Sequence, residues 1–395
     1  MNRKFIFAFA AVAAMFGSAM LTSCSNDDEV AGGSPVSPQS SAISYNFGFN
    51  GKATKGLGLV NTDATDAAKI PNMLVWAYYA PNATGVTPGD QYIGSGDGGI
   101  TVTNHGGVWK EDAQNTAYWP AETAPLNFQA IAPASDASFT VKNTVSDNLA
   151  HMVADVEVPT TNADQKDILM ANEDNVFESK HGRKVLLNFK HVLSQVRFSV
   201  KTTSQQVSGV IEDIALCNIK QTGTVGYHAA DDVADGENAW KKVVLGTTVA
   251  DADVASYSIG IVDDGSFDAA QYNTAKEMTK VDGSLLMLPQ TTVKWTTADG
   301  SAVKIADANT AKNTYIKISC RIKNGNTYLV GSKDSFGNVY IPFEANWEMG
   351  KKYIYTINIG TGKGGFDENG NPLIQPISYS VAVTDWTDAN SEVEL

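Results

Sequence analysis

Cys24 stands where a thiol has a specific use. Arg3 and Lys4 open a short basic region, Phe5 to Met20 is almost wholly apolar, and Leu21-Thr22-Ser23 runs straight into Cys24. An apolar run this short, followed by small residues, has the build of a secretory leader and not of a membrane span. The Leu-Thr-Ser-Cys ending resembles a bacterial lipobox. A peptidase cuts before the cysteine, the thiol takes up diacylglycerol, and the new amino group is acylated, for example by palmitate. Residues 1–23 are therefore predicted to be a lipoprotein signal peptide, with the mature chain anchored by lipid at Cys24. Ser25-Asn26-Asp27-Asp28-Glu29 follows at once. Acidic residues there resemble an export signal to the outer face of the outer membrane, which makes the expected product a surface-exposed lipoprotein.

Other residue types that could do chemistry are scattered. The five histidines, His105, His151, His181, His191 and His228, lie in separate segments without the tight spacing of a zinc motif. His191 is expected to be a hydrogen-bonded structural residue and not a general base. No Gly-x-Ser-x-Gly elbow, phosphate loop or dinucleotide fingerprint occurs in a suitable context. The pairs Asp231-Asp232 and Asp263-Asp264 sit in glycine-containing loop text and read as solvated turns. Asp367-x-Asn369-Gly370-Asn371 is similar to the start of a calcium loop but lacks the downstream glutamate, so it reads as a hairpin turn. Trp76, Tyr78, Tyr79, Trp109 and Trp119 could stack on sugar rings if exposed; packing in or at the edge of a sandwich accounts for most of them. The expectation is no enzyme, no catalytic residue, no metal and no cofactor.

A formal net charge of −14 argues against a nucleic-acid partner, because phosphate binding needs clustered cations. Hydrophobic residues make up 43% and charged residues 18%, which is the composition of a packed globular protein. Beyond the lipidated cysteine only Cys217 and Cys320 remain. They are either one disulfide or two buried small apolar residues.

The elements that must position all this are strands. Residues 24–41 form an acidic and then Gly-, Pro- and Ser-rich linker. From Ile43 the apolar positions recur with period two: Ile43, Tyr45, Phe47 and Phe49 alternate with Ser44, Asn46 and Gly48. Similar runs are expected at Met73 to Tyr79, Leu126 to Ile131, Ser138 to Val141 and Met152 to Val158. The second half repeats the theme at Ile211 to Ile219, Tyr257 to Val262, Leu285 to Leu288, Tyr315 to Ile322, Thr327 to Gly331, Lys352 to Gly360 and Ile377 to Thr384. Between Val185 and Val200 the spacing fits helix and strand alike, and the β-branched content favours strand, a turn at His191 to Gln195, then strand. Asn324-Gly325 predicts a type I′ hairpin, which needs positive φ at both central residues. Short strands at this spacing predict an all-β chain of two β-sandwich domains, 42–181 and 182–395.

Several segments carry a family resemblance. They are "NGKATKGL" at Asn50 to Leu57, "DILMAN" at Asp167 to Asn172, "LNFKHVLSQVRFSV" at Leu187 to Val200 and "LMLPQT" at Leu286 to Thr291. "IPFEANWEMGKKYIYTINIG" at Ile341 to Gly360 and "VAVTDW" at Val381 to Trp386 complete the set. With the lipobox, in this order, they resemble the fimbrillin family, the fimbrillin-like and minor-fimbriae-like lipoproteins that build type V pili. The resemblance implies two transthyretin-like β-sandwich domains in tandem, export as a lipoprotein, and polymerisation into an adhesive cell-surface filament, the fimbrium. It also implies partners: other fimbrial subunits, the outer membrane through the lipid, and host or bacterial surface ligands. In that family a trypsin-like protease removes the N-terminal segment with its first strand, and a strand from another subunit fills the groove.

Carried onto this chain, the removable strand is Ile43, Tyr45, Phe47 and Phe49, and the favoured cut is Lys55-Gly56, with Lys52 the other basic candidate. The family more often has arginine at that place. The expected donor is the segment from Ile377, with Tyr379, Val381 and Val383, because its alternation matches that of Ile43 to Phe49. Ordinary edge strands would show the same pattern. A stalk or tip subunit is one reading, and a surface glycan-binding lipoprotein that never polymerises is the other.

Overall fold

Alternating apolar text folds as strand almost throughout the computed structural model. It describes residues 41–49, 70–105, 108–146, 149–181, 184–229, 243–249, 253–293, 295, 304–360, 365–374 and 376–386. In chain order the first strands are β1 (Ser44–Phe49), β2 (Asn72–Tyr79), β3 (Gln91–Ile93), β4 (Ile100–His105) and β5 (Val108–Glu111). Next come β6 (Leu126–Ala132), β7 (Phe139–Ser146), β8 (Leu149–Glu157), β9 (Leu169–Val176), the short helix α1 (Glu178–His181), β10 (Lys184–His191) and β11 (Ser194–Thr202). After these lie β12 (Val207–Lys220), β13 (Thr222–Ala229), β14 (Val243–Val249), β15 (Val254–Ser258), β16 (Ser266–Phe267), β17 (Lys276–Glu277) and β18 (Leu285–Met287). The last are α2 (Ile305–Thr310), β19 (Tyr315–Asn324), β20 (Thr327–Val330), β21 (Gly337–Pro342), β22 (Lys351–Ile359) and β23 (Ile377–Asp385). The all-β expectation holds, since α1 and α2 span only four and six residues. Among the described residues no helix is long and apolar enough to cross a membrane.

Among the described residues the strands form four sheets. The largest has the order β1-β10-β9-β6-β2-β4-β5, with β3 on β2. Along β2 and β6, Met73, Val75, Ala77, Leu126, Phe128 and Ala130 enter one core, while Trp76, Tyr78 and Ile131 enter another. The period of two thus delivers both faces of this sheet to apolar surroundings. A second sheet runs β17-β11-β22-β23 with β18 on β11, and a third runs β15-β12-β19-β20 with β16 and β21 attached. Val196, Phe198 and Ile357 of the second sheet share a core with Ile214, Leu216, Ile316 and Ile318 of the third. That is sandwich packing. The fourth sheet, β14-β13-β8-β7, joins the two halves, for β8 pairs with β13 from Val153↔Gly226 to Glu157↔Thr222. All described residues lie in one compact unit, Ser40–Leu395.

The ambiguous 185–200 stretch is strand, turn, strand, as β-branched content favoured, with Val192 and Leu193 between β10 and β11. The β19–β20 hairpin forms, but Asn324 pairs with Thr327 and the central residues are Gly325 and Asn326. Of these only Gly325 takes a positive φ, +58°, so the turn does not meet the type I′ requirement.

Candidate functional site: the first strand and the C-terminal strand

Ile43, just before β1, and Tyr45 and Phe47 within it are all buried. They fill a slot in the core beneath the largest sheet together with Val185, Leu187 and Phe189 of β10. Phe47 is held between two rings, 4.2 Å from Phe189 and 5.3 Å from Trp109 of β5, both nearly parallel to it. Tyr45 meets Phe128 edge-on at 6.5 Å. Tyr45 carries a liability, because its hydroxyl is buried and among the described residues has no hydrogen-bond partner. Burial, with Glu111 second, raises its pKa, so the phenol stays neutral.

The backbone of β1 is held less fully. Among the described residues its one ladder neighbour is β10, in parallel from Ser44↔Lys184 to Phe49↔Phe189. On the other edge the contacts cluster at the entry: Ile43 N–H donates to the Ala117 carbonyl at 2.9 Å, and Trp119 N–H to the Ser41 carbonyl at 3.0 Å. The Ser41 hydroxyl donates to Glu178 of α1. Beyond that entry, no strand pairs with the second edge of β1 among the described residues. The strand is peripheral in ladder order while its side chains are central to the core.

The C-terminal strand is the reverse case. β23 pairs with β22 over nine residues, Lys351↔Asp385 to Ile359↔Ile377. Ile377 is 1% exposed, yet Val381 and Val383 are 47% and 50% exposed. Tyr379 lies between these extremes, its ring 5.4 Å from Phe343 and 5.8 Å from Tyr355. From Ser380 to Asp385 every residue is exposed. The next residue, Trp386, is buried again at 3%. Its indole stacks on the His191 imidazole, with centroids 3.9 Å apart and planes 5° from parallel. His191 Nδ1 in turn meets the Asp167 carboxylate, both groups being buried. The Trp386 N–H donates to the Gly350 carbonyl at 2.8 Å. His191 thus has a packed structural setting, as its sequence context suggested.

Cys24, Lys52, Lys55, Gly56 and Asp231-Asp232 lie outside the described residues, and Phe49 is placed by its backbone only. Trp76, Tyr78, Trp109 and Trp119 are buried, so they offer no exposed stacking platform. Asp367 closes its own turn, accepting from the Asn369 and Asn371 N–H groups at 2.9 and 2.8 Å and from the Asn371 amide at 2.8 Å. These bonds hold its carboxyl below the usual carboxylate range, that to the Asn371 side chain most. Among the described residues no group of three or more potential metal ligands comes together. Cys217 and Cys320 are free and buried, which decides between the two readings of them. They lie on neighbouring strands, but Cys217 faces Tyr315, and Cys320 is about 17 Å further along β19 at a strand rise of about 3.4 Å per residue.

Sequence reasoning missed two contacts. Trp109 as a wall of the Phe47 slot, and Trp386 on His191, are pairings between segments far apart in sequence. A signal for the second was present, since "DILMAN", "LNFKHVLSQVRFSV" and "VAVTDW" each supply one residue of the Asp167, His191 and Trp386 cluster.

A family model described as fimbrillin-like matches residues 64–386. A crystal structure of a fimbrial protein from Bacteroides vulgatus is similar at 14% identity and a TM-score of 0.53, covering 88% of this chain and 99% of that one. A putative cell adhesion protein from Bacteroides uniformis is similar at 15% identity and a TM-score of 0.40, covering 88% and 98%. At these identities the first likeness shows a shared fold. No match was found among curated protein sequences.

Proposed function

The chain belongs to the fimbrillin-like family, and from that premise we propose that it is a structural or adhesive subunit of a cell-surface fimbria. Its assembly proceeds by protease-triggered donor-strand exchange. The observation that carries this reading is β1 itself: among the described residues it has one parallel ladder and lies at the edge of its sheet, with Ile43, Tyr45 and Phe47 filling the core. A strand bound in this way leaves, when removed, an open β10 edge above an apolar slot. Another extended segment with alternating apolar residues can satisfy both at once. β23 has the required alternation and presents Val381 and Val383 to solvent, which supports Ile377, Tyr379, Val381 and Val383 as the donor row. Lys55-Gly56 is the proposed cut and Cys24 the proposed lipid anchor in the outer membrane, before the subunit passes into the fimbrium.

We further propose that two sandwich domains pack within the compact unit, and that the boundary falls at Val192-Leu193 and not at 181–182. The reason is that β10 completes the first sheet while β11 begins the second. The burial of Trp76, Tyr78, Trp109 and Trp119 favours the fimbrial subunit over the glycan-binding lipoprotein.

The test is limited trypsin treatment of the purified chain, sequencing of the new N-terminus, and light scattering. The expected product begins at Gly56 and grows in mass. A cut product that stays monomeric overturns strand exchange, and resistance at both Lys52 and Lys55 overturns the proposed maturation.

A further inference from the structure

The C-terminal strand is exposed along its length but buried at both ends. Ile377 is 1% exposed and Trp386 3%, while the six residues from Ser380 to Asp385 are all exposed. An ordinary edge strand is held by its ladder and by its core-facing row. In β23 that row is half lost, because Val381 and Val383 bury little apolar surface. At the far end the Lys351–Asp385 ion pair adds little, since Asp385 is 72% exposed and such pairs are screened. What remains there is the Trp386 ring on His191 and the backbone bond to Gly350. The ring belongs to the apolar core that its own sheet lines, with Tyr353, Tyr355 and Ile377, but its flat face has another seat. It lies on a buried polar pair whose members come from elsewhere: Asp167 precedes β9, and His191 ends β10, the strand that carries β1.

We propose that Trp386 is a latch. Its stack on His191, braced by Asp167, holds β23 closed on β22, and lifting the ring frees residues 377–386 as one strap while the sandwich stays folded. Asp167 positions the imidazole, and its burial beside His191 gives the ring a flat, rigid seat. The latch stands on geometry alone; its use as a control on strand release rests on the donor reading of β23 proposed above.

Hydrogen exchange by mass spectrometry on the mature chain separates the two. In Trp386→Ala the amides of residues 377–385 are expected to exchange ~100-fold faster, on the scale of a lost buried aromatic, with β12 and β19 unchanged. Trp386→Phe, which keeps a flat ring, is expected to stay within about threefold of the wild type. If Trp386→Ala does not fold, Trp386→Leu is read in its place with an expected rise of ~10-fold. No change at 377–385, or an equal rise in every sheet, overturns the latch. Assembly of trypsin-treated Trp386→Ala is then followed by light scattering. Faster assembly supports the latch as the control on release. Exchange confined to 377–385 with unchanged assembly leaves the latch standing and removes β23 as the donor.

Discussion

Replacing Phe47 by alanine should weaken the protein far more than its place on an edge strand suggests. A phenylalanine buries roughly 150–250 Å², which at about 25 cal/mol per Å² is ~4–6 kcal/mol, and alanine retains about a third of it. The loss is then ~3 kcal/mol, and the contacts to Phe189 and Trp109 add about 1 kcal/mol. Relaxation at a sheet edge offsets part of this, so about 3 kcal/mol is expected, the low end of measured values for such truncations. For a chain of this size that lowers Tm by about 4 °C. Val383→Ala is the control: Val383 is 50% exposed, and the change should stay within about 0.5 kcal/mol. Urea unfolding of both variants, with hydrogen exchange at residues 184–189, measures the difference. Exchange along β10 should rise in Phe47→Ala before global unfolding, because β10 loses the ladder partner that the ring holds in place. A loss below about 1 kcal/mol, or equal losses in the two variants, would refute the claim that β1 is held by its side chains.

Three further outcomes follow from the same physics. Cys24→Ser should abolish lipid labelling and release the protein from the membrane fraction, as read by radiolabelled palmitate; unchanged labelling rules out lipidation at Cys24. In that variant the native protein should present no reactive thiol and the unfolded chain two, because Cys217 and Cys320 are free and buried and burial pushes the Cys320 thiol up to about 12; titration with a thiol reagent in buffer and in guanidinium checks it. Asp367→Ala should cost about 1 kcal/mol at neutral pH by opening its turn. The Asp367 carboxyl has a lowered pKa in the fold, so its contribution is present above the ordinary carboxylate value and is lost as pH falls through the lower folded value. The wild-type advantage over Asp367→Ala should therefore vanish in acid, and calcium should raise the Tm of neither protein.

Local pattern made much of this fold legible. Strands with a strict two-residue period, such as Ile43 to Phe49 and Lys352 to Gly360, can be read because one face must be buried and the other need not be. β-branched content decided 185–200 correctly for the same reason. β3, β4 and β5 were missed: Gln91-Tyr92-Ile93 is too short to show a period, and Ile100 to His105 alternates apolar with Thr and Asn too weakly. β3 and β4 are made by pairing with β2, and β5 by pairing with β4, which is information about another part of the chain. The hairpin at Asn324-Gly325 was placed one residue early, because Asn324 remained in the ladder and left the turn to Gly325 and Asn326. In the candidate site, the apolar row of β1 was readable but its partners Trp109 and Phe189 were not. Trp386 was visible only as the end of a motif, and its seat on His191 depends on strands that meet through the tertiary fold.

The central claim is that a segment beginning at Ile377 in one subunit replaces β1 of another. A cysteine placed at Asn188 on β10, whose partner on β1 is Gly48, reports occupancy of the vacated edge. It is mixed with subunits carrying single cysteines at Ser378, Ser380 or Ala382, in backgrounds where Cys24 is serine. After trypsin treatment and mild oxidation, one of these positions should form an intersubunit disulfide with residue 188. The uncut protein should form none. Filaments that grow without any crosslink from residue 188 to the 378–382 segment would contradict the claim.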